Sequence, residues 1–489
     1  MTNTKSIFQI TIVVALGGLL FGYDTAVISG ATEALQEYFS LSPAQLGFAA
    51  SSALIGCIVG AIVAGSLSAK YGRKKALILA AILFFISAFG SALPETLNLI
   101  SGSTYSSFIF YRILGGIGVG IASMVSPMYI AEIAPPSKRG SLVSCNQFAI
   151  IFGMLVVYFV NYGIALMGSD AWLHSIGWRY MFASECIPAG IFFILLFGVP
   201  ETPRWLAMKG HMSEARKLIA SFNKGDDFDK QWKEIEDSLA HNGSSVSVFS
   251  KGIFFILVLG IGLSVLQQVT GINVFLYYAP TILKGFSSST TDIAMLQTIL
   301  IGAVNLTFTV VAIYTVDKFG RKPLMMLGAA AMAISMIAIG TAAYLDAIGG
   351  YLLVFMLLYI AAFALSLGPV TWVLLSEMFP NSVRAKALSI AVFAQWFANF
   401  LVSQTFPMMN AKTSYIYQEF NGGFPFWLYG AMAIFTVFFV YRWIPETKGK
   451  SLEQLEKLWE TEPEVKPAAT KAAHYYSYHL LLYLRSTFQ

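Results

Sequence analysis

Twelve stretches of about 20 predominantly apolar residues fill most of this 489-residue chain, and no other feature constrains its fold as tightly. They run approximately over 8–30, 48–68, 76–98, 107–131, 142–166, 177–199, 252–280, 292–315, 323–345, 350–376, 386–409 and 424–444. Inside hydrocarbon every backbone polar group must be satisfied within the protein, and continuous apolar runs this long satisfy theirs as helices. Composition agrees: 56% of residues are hydrophobic and 12% charged, roughly half the charge of an ordinary soluble protein. Too few polar side chains remain to cover a soluble exterior, which excludes a soluble fold, a disordered chain and a nucleic-acid binder. Cys57, Cys145 and Cys186 are scattered in apolar runs without pairing or metal-ligand spacing, so neither a disulfide framework nor a metal site is expected. The first apolar run is long enough to span and remain, which argues against a cleaved leader.

Lysine and arginine placement orients the chain. Of 31 such residues, 27 lie on one side: before span one, at or after the end of span twelve, or between an even-numbered span and the start of the next. Lys284 and Lys412 lie in loops on the other side, Arg179 at the outer edge of span six and Arg112 within span four. The positive-inside rule therefore expects both termini and the long polar stretch between spans six and seven in the cytoplasm. That stretch, 202–250, carries mixed charges that suit short amphipathic helices. It separates an N-terminal half (1–201) from a C-terminal half (251–445), and 446–489 follows as a tail.

The halves repeat each other. Lys70-Tyr71-Gly72-Arg73-Lys74 returns as Lys318-Phe319-Gly320-Arg321-Lys322 at an offset of 248 residues. Glu132 with Arg139 returns as Glu377 with Arg384, and Pro200-Glu201-Thr202 as Pro445-Glu446-Thr447, both at 245. Six spans per repeat give both halves the same orientation, so a pseudo-twofold axis along the membrane normal is expected. Alternating-access carriers are built this way, with substrate held between the halves near the midplane.

These paired loops, with Pro200-Glu201-Thr202-Pro203-Arg204-Trp205, Gln267-Gln268-Val269-Thr270-Gly271-Ile272-Asn273, Gly368-Pro369-Val370-Thr371-Trp372 and Pro445-Glu446-Thr447-Lys448-Gly449, resemble the sugar porter family of the major facilitator superfamily. The resemblance runs from about residue 8 to 460; Ala69 departs from the usual aspartate of the first loop motif, which Asp317 keeps in the second. It implies a proton-coupled monosaccharide symporter in the bacterial inner (plasma) membrane, with D-xylose as the expected sugar. A facilitative uniporter on the same fold is the alternative, and a non-transporting sugar sensor a weaker one.

Three ionisable side chains fall inside predicted spans: Asp24, Arg112 and Glu185. A charge at the bilayer centre costs at least about 2.5–3.5 kcal/mol, so each asks for a purpose. One reading is a purely structural pair between Asp24 and Arg112. The other is charge switching, in which ionised Asp24 holds Arg112 and protonated Asp24 releases it so that the carrier reorients. The resemblance supports the second, because Phe21-Gly22-Tyr23-Asp24 matches the symporter pattern where the family's facilitative glucose carriers have asparagine.

A sugar presents hydroxyls, each donor and acceptor, around a weakly apolar ring. Glutamine and asparagine match the hydroxyls without the desolvation cost of a charge, and aromatic rings match the ring face. Candidates in the spans are Gln147, Gln267, Gln268, Asn273, Asn305, Gln395 and Asn399, with Phe21, Tyr277, Tyr278, Trp372 and Trp396. A lone amide of this kind often only glues helices together. The resemblance maps sugar contacts onto Gln147, Gln267, Gln268, Asn273, Trp372 and Gln395, flanked by Phe21, Tyr277 and Trp396. Gln268 and Asn273 lie roughly 140° apart on a regular helix, so sharing one ligand requires a distortion that Gly271 permits. Gly368-Pro369 predicts a kink in span ten.

At the cytoplasmic loops Arg73, Arg139, Arg321 and Arg384 are expected to face Glu132, Glu201, Glu377 and Glu446 as a gating network, or else serve topology alone. Gly56, Gly60 and Ala64, like Gly116 and Gly120, form close-packing faces. Gly115-Gly116-Ile117-Gly118-Val119-Gly120 fails the dinucleotide fingerprint and lies within a span, so no nucleotide is assigned. All five histidines lie in loops or the tail, which argues against a membrane-embedded enzyme. The expectation is thus an all-α membrane protein of twelve helices in two six-helix halves with a cytoplasmic helical linker. It binds sugar and protons within the lipid bilayer, without cofactor, metal or nucleic acid, and works as a monomer.

Overall fold

The computed structural model holds, among the residues it describes, twelve helices long and apolar enough to cross a membrane. It describes residues 7–96, 103–135, 138–222, 226–240, 251–287, 290–347, 349–379 and 383–448. Nearly all of the tail, with the short apolar run that its sequence carries at 474–484, lies outside the described residues, as does part of the linker. Among the described residues there is no β-strand.

Spans one to six are Ile7–Tyr38, Pro43–Tyr71, Arg73–Ala92, Thr104–Ile133, Arg139–Ala165 and Asp170–Phe197. Span seven is two helices, Lys251–Val269 and Ile272–Ser287; spans eight and nine are Thr291–Phe319 and Arg321–Tyr344. Span ten is again two helices, Tyr351–Leu365 and Leu367–Met378, and spans eleven and twelve are Arg384–Asn410 and Phe424–Trp443. Span three starts and ends earlier than the expected 76–98, because Gly72 breaks the chain before it and Pro94, lacking an N–H, stops it. Span two shows how local sequence sets a boundary. Ser42 accepts from the Gln45 backbone N–H while the Gln45 side chain accepts from Ser42 N at 2.9 Å, and Pro43 occupies the first helical position.

Packing repeats with the sequence. In the first half, spans one and five, two and four, three and four, and three and six pack together. In the second half the matching pairs are seven and eleven, eight and ten, nine and ten, and nine and twelve. Spans two and eleven, five and eight, and one and seven join the halves, a set that maps onto itself when the halves are exchanged. The contact pattern is that of a pseudo-twofold.

Without a hydrophobic force between helices in lipid, close backbone approach does the work. A Cβ on Gly116 would strike the carbonyl of Ala53, and one on Gly56 that of Ile113, so spans two and four touch along their backbones. The linker folds as Pro203–Met208, Met212–Phe222 and Asp226–Ala240, with Ala207, Ala215, Ile219 and Ile235 buried between them. Gly116→Ala is expected to cost about 1–3 kcal/mol through overpacking, read as a lower melting temperature in detergent. Gly65→Ala in the same span pair, where an added Cβ meets open space, should leave melting unchanged. Equal melting of both variants would refute the close-packed crossing.

Candidate functional site

The first half buries three charged side chains together. Asp24 is fully buried, and Arg112 and Glu185 are 1% exposed. Arg112 Nη1 donates to Asp24 Oδ1 at 2.7 Å and Nη2 to the Asp24 backbone carbonyl at 3.3 Å, tying span four to span one. The guanidinium also lies over the Phe182 ring at 5.6 Å. Glu185 stands where a turn interrupts span six, beside Asp24 and close enough to feel Arg112. Beside it Tyr23 Oη and Ser184 Oγ share a hydrogen bond of 2.7 Å. Two carboxyls thus stand by one guanidinium, an arrangement with room for one proton to be held or lost.

The second half holds a relay of amides. Span seven breaks at Thr270-Gly271, where Gly271 adopts φ +93, a conformation few other residues tolerate. The break realises the distortion that Gln268 and Asn273 need: Asn273 Nδ2 donates to Gln268 Oε1 at 2.6 Å. Gln268 Nε2 donates to Gln267 Oε1 at 3.1 Å, and Gln267 Nε2 to the carbonyls of Leu367 and Gly368 at 2.9 and 3.1 Å. Those carbonyls open the second piece of span ten, whose break falls at Ser366, two residues before the expected Gly368-Pro369. Tyr359 Oη caps the Thr270 carbonyl at 2.8 Å. The two broken helices therefore brace each other through the amides.

The other candidates divide between the halves. Gln395, Asn399, Trp396 and Tyr277 are buried, and Gln395 Oε1 has no partner. Gln147 on span five is half-buried, and Trp372 is 38% exposed. Phe21 of span one meets Trp396 of span eleven with ring centroids 5.7 Å apart, so the flanking aromatics come from both halves. Asn305 is buried on span eight, and Tyr278 donates to the Ser403 carbonyl at 2.8 Å, a span-to-span tie.

At the end bearing the termini the repeated motifs build the same cage twice. Arg73 Nη2 pairs with Glu132 at 2.8 Å, and Arg321 Nη2 with Glu377 at 3.0 Å. Glu201 accepts from the backbone N–H groups of Arg73 and Lys74 at 3.0 and 3.1 Å, as Glu446 does from Arg321 and Lys322 at 3.0 and 3.1 Å. Thr202 and Thr447 each donate to the glutamate of their own half at 2.6 Å. Burial pushes the Glu201 carboxyl up. The less buried Glu446 is pushed up by burial too, but N–H groups of Lys448, Arg321 and Lys322 bring it below the usual range. Two arginines fall outside the cages. Arg139 reaches Glu234 of the linker at 2.8 Å, and Arg384 donates to the Phe379 carbonyl at 3.0 Å. Gln231 donates to the Glu132 carbonyl at 2.9 Å, so the linker docks on the first cage.

The opposite end ties the halves to each other, which no motif announced. Lys284 Nζ pairs with Glu33 at 2.7 Å, Thr32 and Thr281 share a hydrogen bond of 3.1 Å, and Ser51 donates to Gln404 at 3.0 Å. Lys284 is one of the few lysines on that side, and this was the signal available. Nearby, Arg179 grips Glu95 with two bonds of 2.7 Å and Tyr38 with one of 2.8 Å, within the first half.

A family model described as "Sugar (and other) transporter" matches residues 10–459. The chain belongs to that family. The D-xylose-proton symporter of Escherichia coli (strain K12) is 53% identical over 481 residues, 94% of this chain and 97% of the relative. The arabinose-proton symporter of Bacillus subtilis (strain 168) is 42% identical over 458 residues, 93% of this chain and 95% of the relative. The inward-open conformation of the xylose transporter XylE from E. coli superposes with a TM-score of 0.81 at 51% identity, covering 93% of this chain and 100% of that one. The symporter XylE bound to 6-bromo-6-deoxy-D-glucose gives 0.78 at 52% identity, with 94% and 100% covered. This sugar transporter family member is a carrier and not an enzyme.

Glu33 and Lys284 are both partly exposed, so their coupling should be about 0.5–1 kcal/mol. A double-mutant cycle of Glu33→Gln and Lys284→Met, read by melting in detergent, is expected to return that value. Strict additivity would show that the pair does not hold the halves together.

Proposed function

We propose that this chain is a proton-coupled monosaccharide symporter that imports D-xylose by alternating access. The observation that carries the reading is the buried Asp24–Arg112 pair with Glu185 beside it, in a chain whose other half holds a buried amide relay. The 53% identity to a D-xylose-proton symporter over 94% of the chain supports the same conclusion. In this reading the first half (1–201) handles the proton and the second (251–445) makes most sugar contacts. The linker (202–250) and the tail (446–489) are cytoplasmic.

Ionised Asp24 holds Arg112 and keeps span one bound to span four. A proton arriving at Asp24, with Glu185 as the neighbouring acceptor, removes the charge that Arg112 holds, and span one is freed to shift against span four. Xylose hydroxyls exchange with the relay of Gln267, Gln268 and Asn273 and with Gln147 and Gln395. Trp372, Phe21, Tyr277 and Trp396 cover its ring. The arginine–glutamate cages of Arg73, Glu132, Arg321, Glu377, Glu201 and Glu446 keep each half rigid at the cytoplasmic gate, with Arg139 and Arg384 at its edge. The halves are tied at the end away from the termini, which corresponds to a carrier open to the cytoplasm. The protein sits in the bacterial plasma membrane with both termini inside, following its lysines and arginines, and acts as a monomer.

Xylose uptake into proteoliposomes, with and without an inward proton gradient, tests this reading. Wild type should accumulate xylose against its gradient, while Asp24→Asn should exchange xylose without accumulating it. Equilibration by both proteins, indifferent to the gradient, would make the chain a uniporter and Asp24 a structural partner. Gln268→Ala leaves Asn273 and Gln267 without their shared partner and is expected to raise KM for xylose about tenfold, or ~1.4 kcal/mol, with accumulation retained. An unchanged KM would remove the relay from the sugar site.

A further inference from the structure

Serine and threonine hydroxyls in membrane helices usually return to the carbonyl one turn back, as Ser335, Ser366 and Thr298 do here. Ser87 and Ser91 on span three do not. Both are 1% exposed, and neither hydroxyl has a hydrogen-bond partner. Four residues apart, they share one face of the helix, one turn from each other.

The Ser87 hydroxyl and Asp24 Oδ1 approach the same point. The space left by the missing side chain of Gly115 admits both, since a Cβ there would meet Ser87 Oγ and lie 3.2 Å from Asp24 Oδ1. The two oxygens are therefore no more than about 5.6 Å apart, a separation that one bridging water can close. Span three also packs on span six where Glu185 stands: the Cys186 thiol donates to the Phe85 carbonyl at 3.9 Å. At its other end, the residue after Ser91 is Ala92, whose carbonyl accepts from Arg179 at 3.0 Å beside partly exposed Glu95. The direct line from Arg112 to the same end is filled by rings. Phe182, Phe108, Trp178 and Tyr38 follow one another at 5.3, 6.2 and 5.3 Å between centroids, starting 5.6 Å from Arg112. Among other buried hydroxyls without partners, Ser264, Thr371 and Tyr429 lie in the second half, and Thr11 and Ser126 lie in the first, thirteen residues before Asp24 and fourteen after Arg112 toward the opposite end of the bundle.

We propose that Ser87 and Ser91, with intervening water, form a proton path along span three from the end away from the termini to Asp24 and Glu185, separate from the sugar route. Each hydroxyl takes a proton from its outer neighbour and releases its own inward, so only O–H bonds change and the carboxyl receives the net proton. The proposal rests on the proton-coupling role given to Asp24 above.

The test uses the full-length protein in proteoliposomes with an internal pH-sensitive dye. Initial rates of gradient-driven xylose uptake and xylose-linked proton entry are compared with xylose exchange at equal pH. Ser87→Ala with Ser91→Ala should slow the driven rates at least about tenfold, while exchange stays within about twofold of wild type. Melting temperature checks folding, and Ser91→Ala alone, one turn further from the carboxyl, should slow the driven rates less than the pair. Driven rates of wild-type size in the double variant would overturn the path. An equal fall in driven uptake and exchange would also overturn it, by making the serines structural. Asp24→Asn is run alongside: if that variant still accumulates xylose, the coupling role itself fails. If it uncouples while the serine variants behave as wild type, only the path fails.

Discussion

A guanidinium and a carboxylate sealed in the interior of a membrane protein are each unaffordable alone, and the bond between Arg112 and Asp24 is what makes both tolerable. Its two contacts hold span four to the middle of span one, and the rest of the first half packs around that crossing. Breaking such a pair by removing one charge leaves the other uncompensated, at about 3–5 kcal/mol. In the proposed mechanism the carboxylate charge is removed by protonation, with the carboxyl of Glu185 standing beside the pair.

The second half is governed by a different constraint. Breaking a helix in a membrane exposes carbonyls and N–H groups that lipid cannot satisfy. Spans seven and ten each break, and each supplies what the other lacks: Gln267 reaches carbonyls at the start of the second piece of span ten, and Tyr359 of the first piece reaches the carbonyl of Thr270. The amides at this junction therefore hold the two breaks together. In the proposed function, xylose exchanging hydrogen bonds with them would alter how the two broken helices brace one another.

Much of this was legible in the sequence. Twelve apolar runs, one-sided lysines and a repeat near 245 residues determine the spans, and the contacts of spans one to six recur in seven to twelve. Asp24, Arg112 and Glu185 were conspicuous because charge is rare in hydrocarbon, and the turn at Gly271 was implied by the angle between Gln268 and Asn273. What stayed hidden depends on distances between elements far apart in the chain. The pairing of Arg139 with Glu234 follows from where an amphipathic linker lies down, and that of Glu33 with Lys284 from how two halves meet. The orphan hydroxyls of Ser87 and Ser91 depend on rotamers, and serine in an apolar run carries no signal that separates it from a packing residue.

Span one gathers these threads. It carries Asp24, and one turn before it Phe21, whose ring meets Trp396 across the halves; further along it carries Thr32 and Glu33, which tie to Thr281 and Lys284. Tyr277, on the span that bears Thr281 and Lys284, lies near enough to Asp24 and Arg112 to feel their charges. Linkage requires that a proton and a sugar bias one rearrangement if each is to favour the other. In the proposed function a single helix touches the proton pair, the aromatic rim of the sugar site and the tie between the halves, and so meets that requirement. In the proposed mechanism, span one is the element whose position both ligands set.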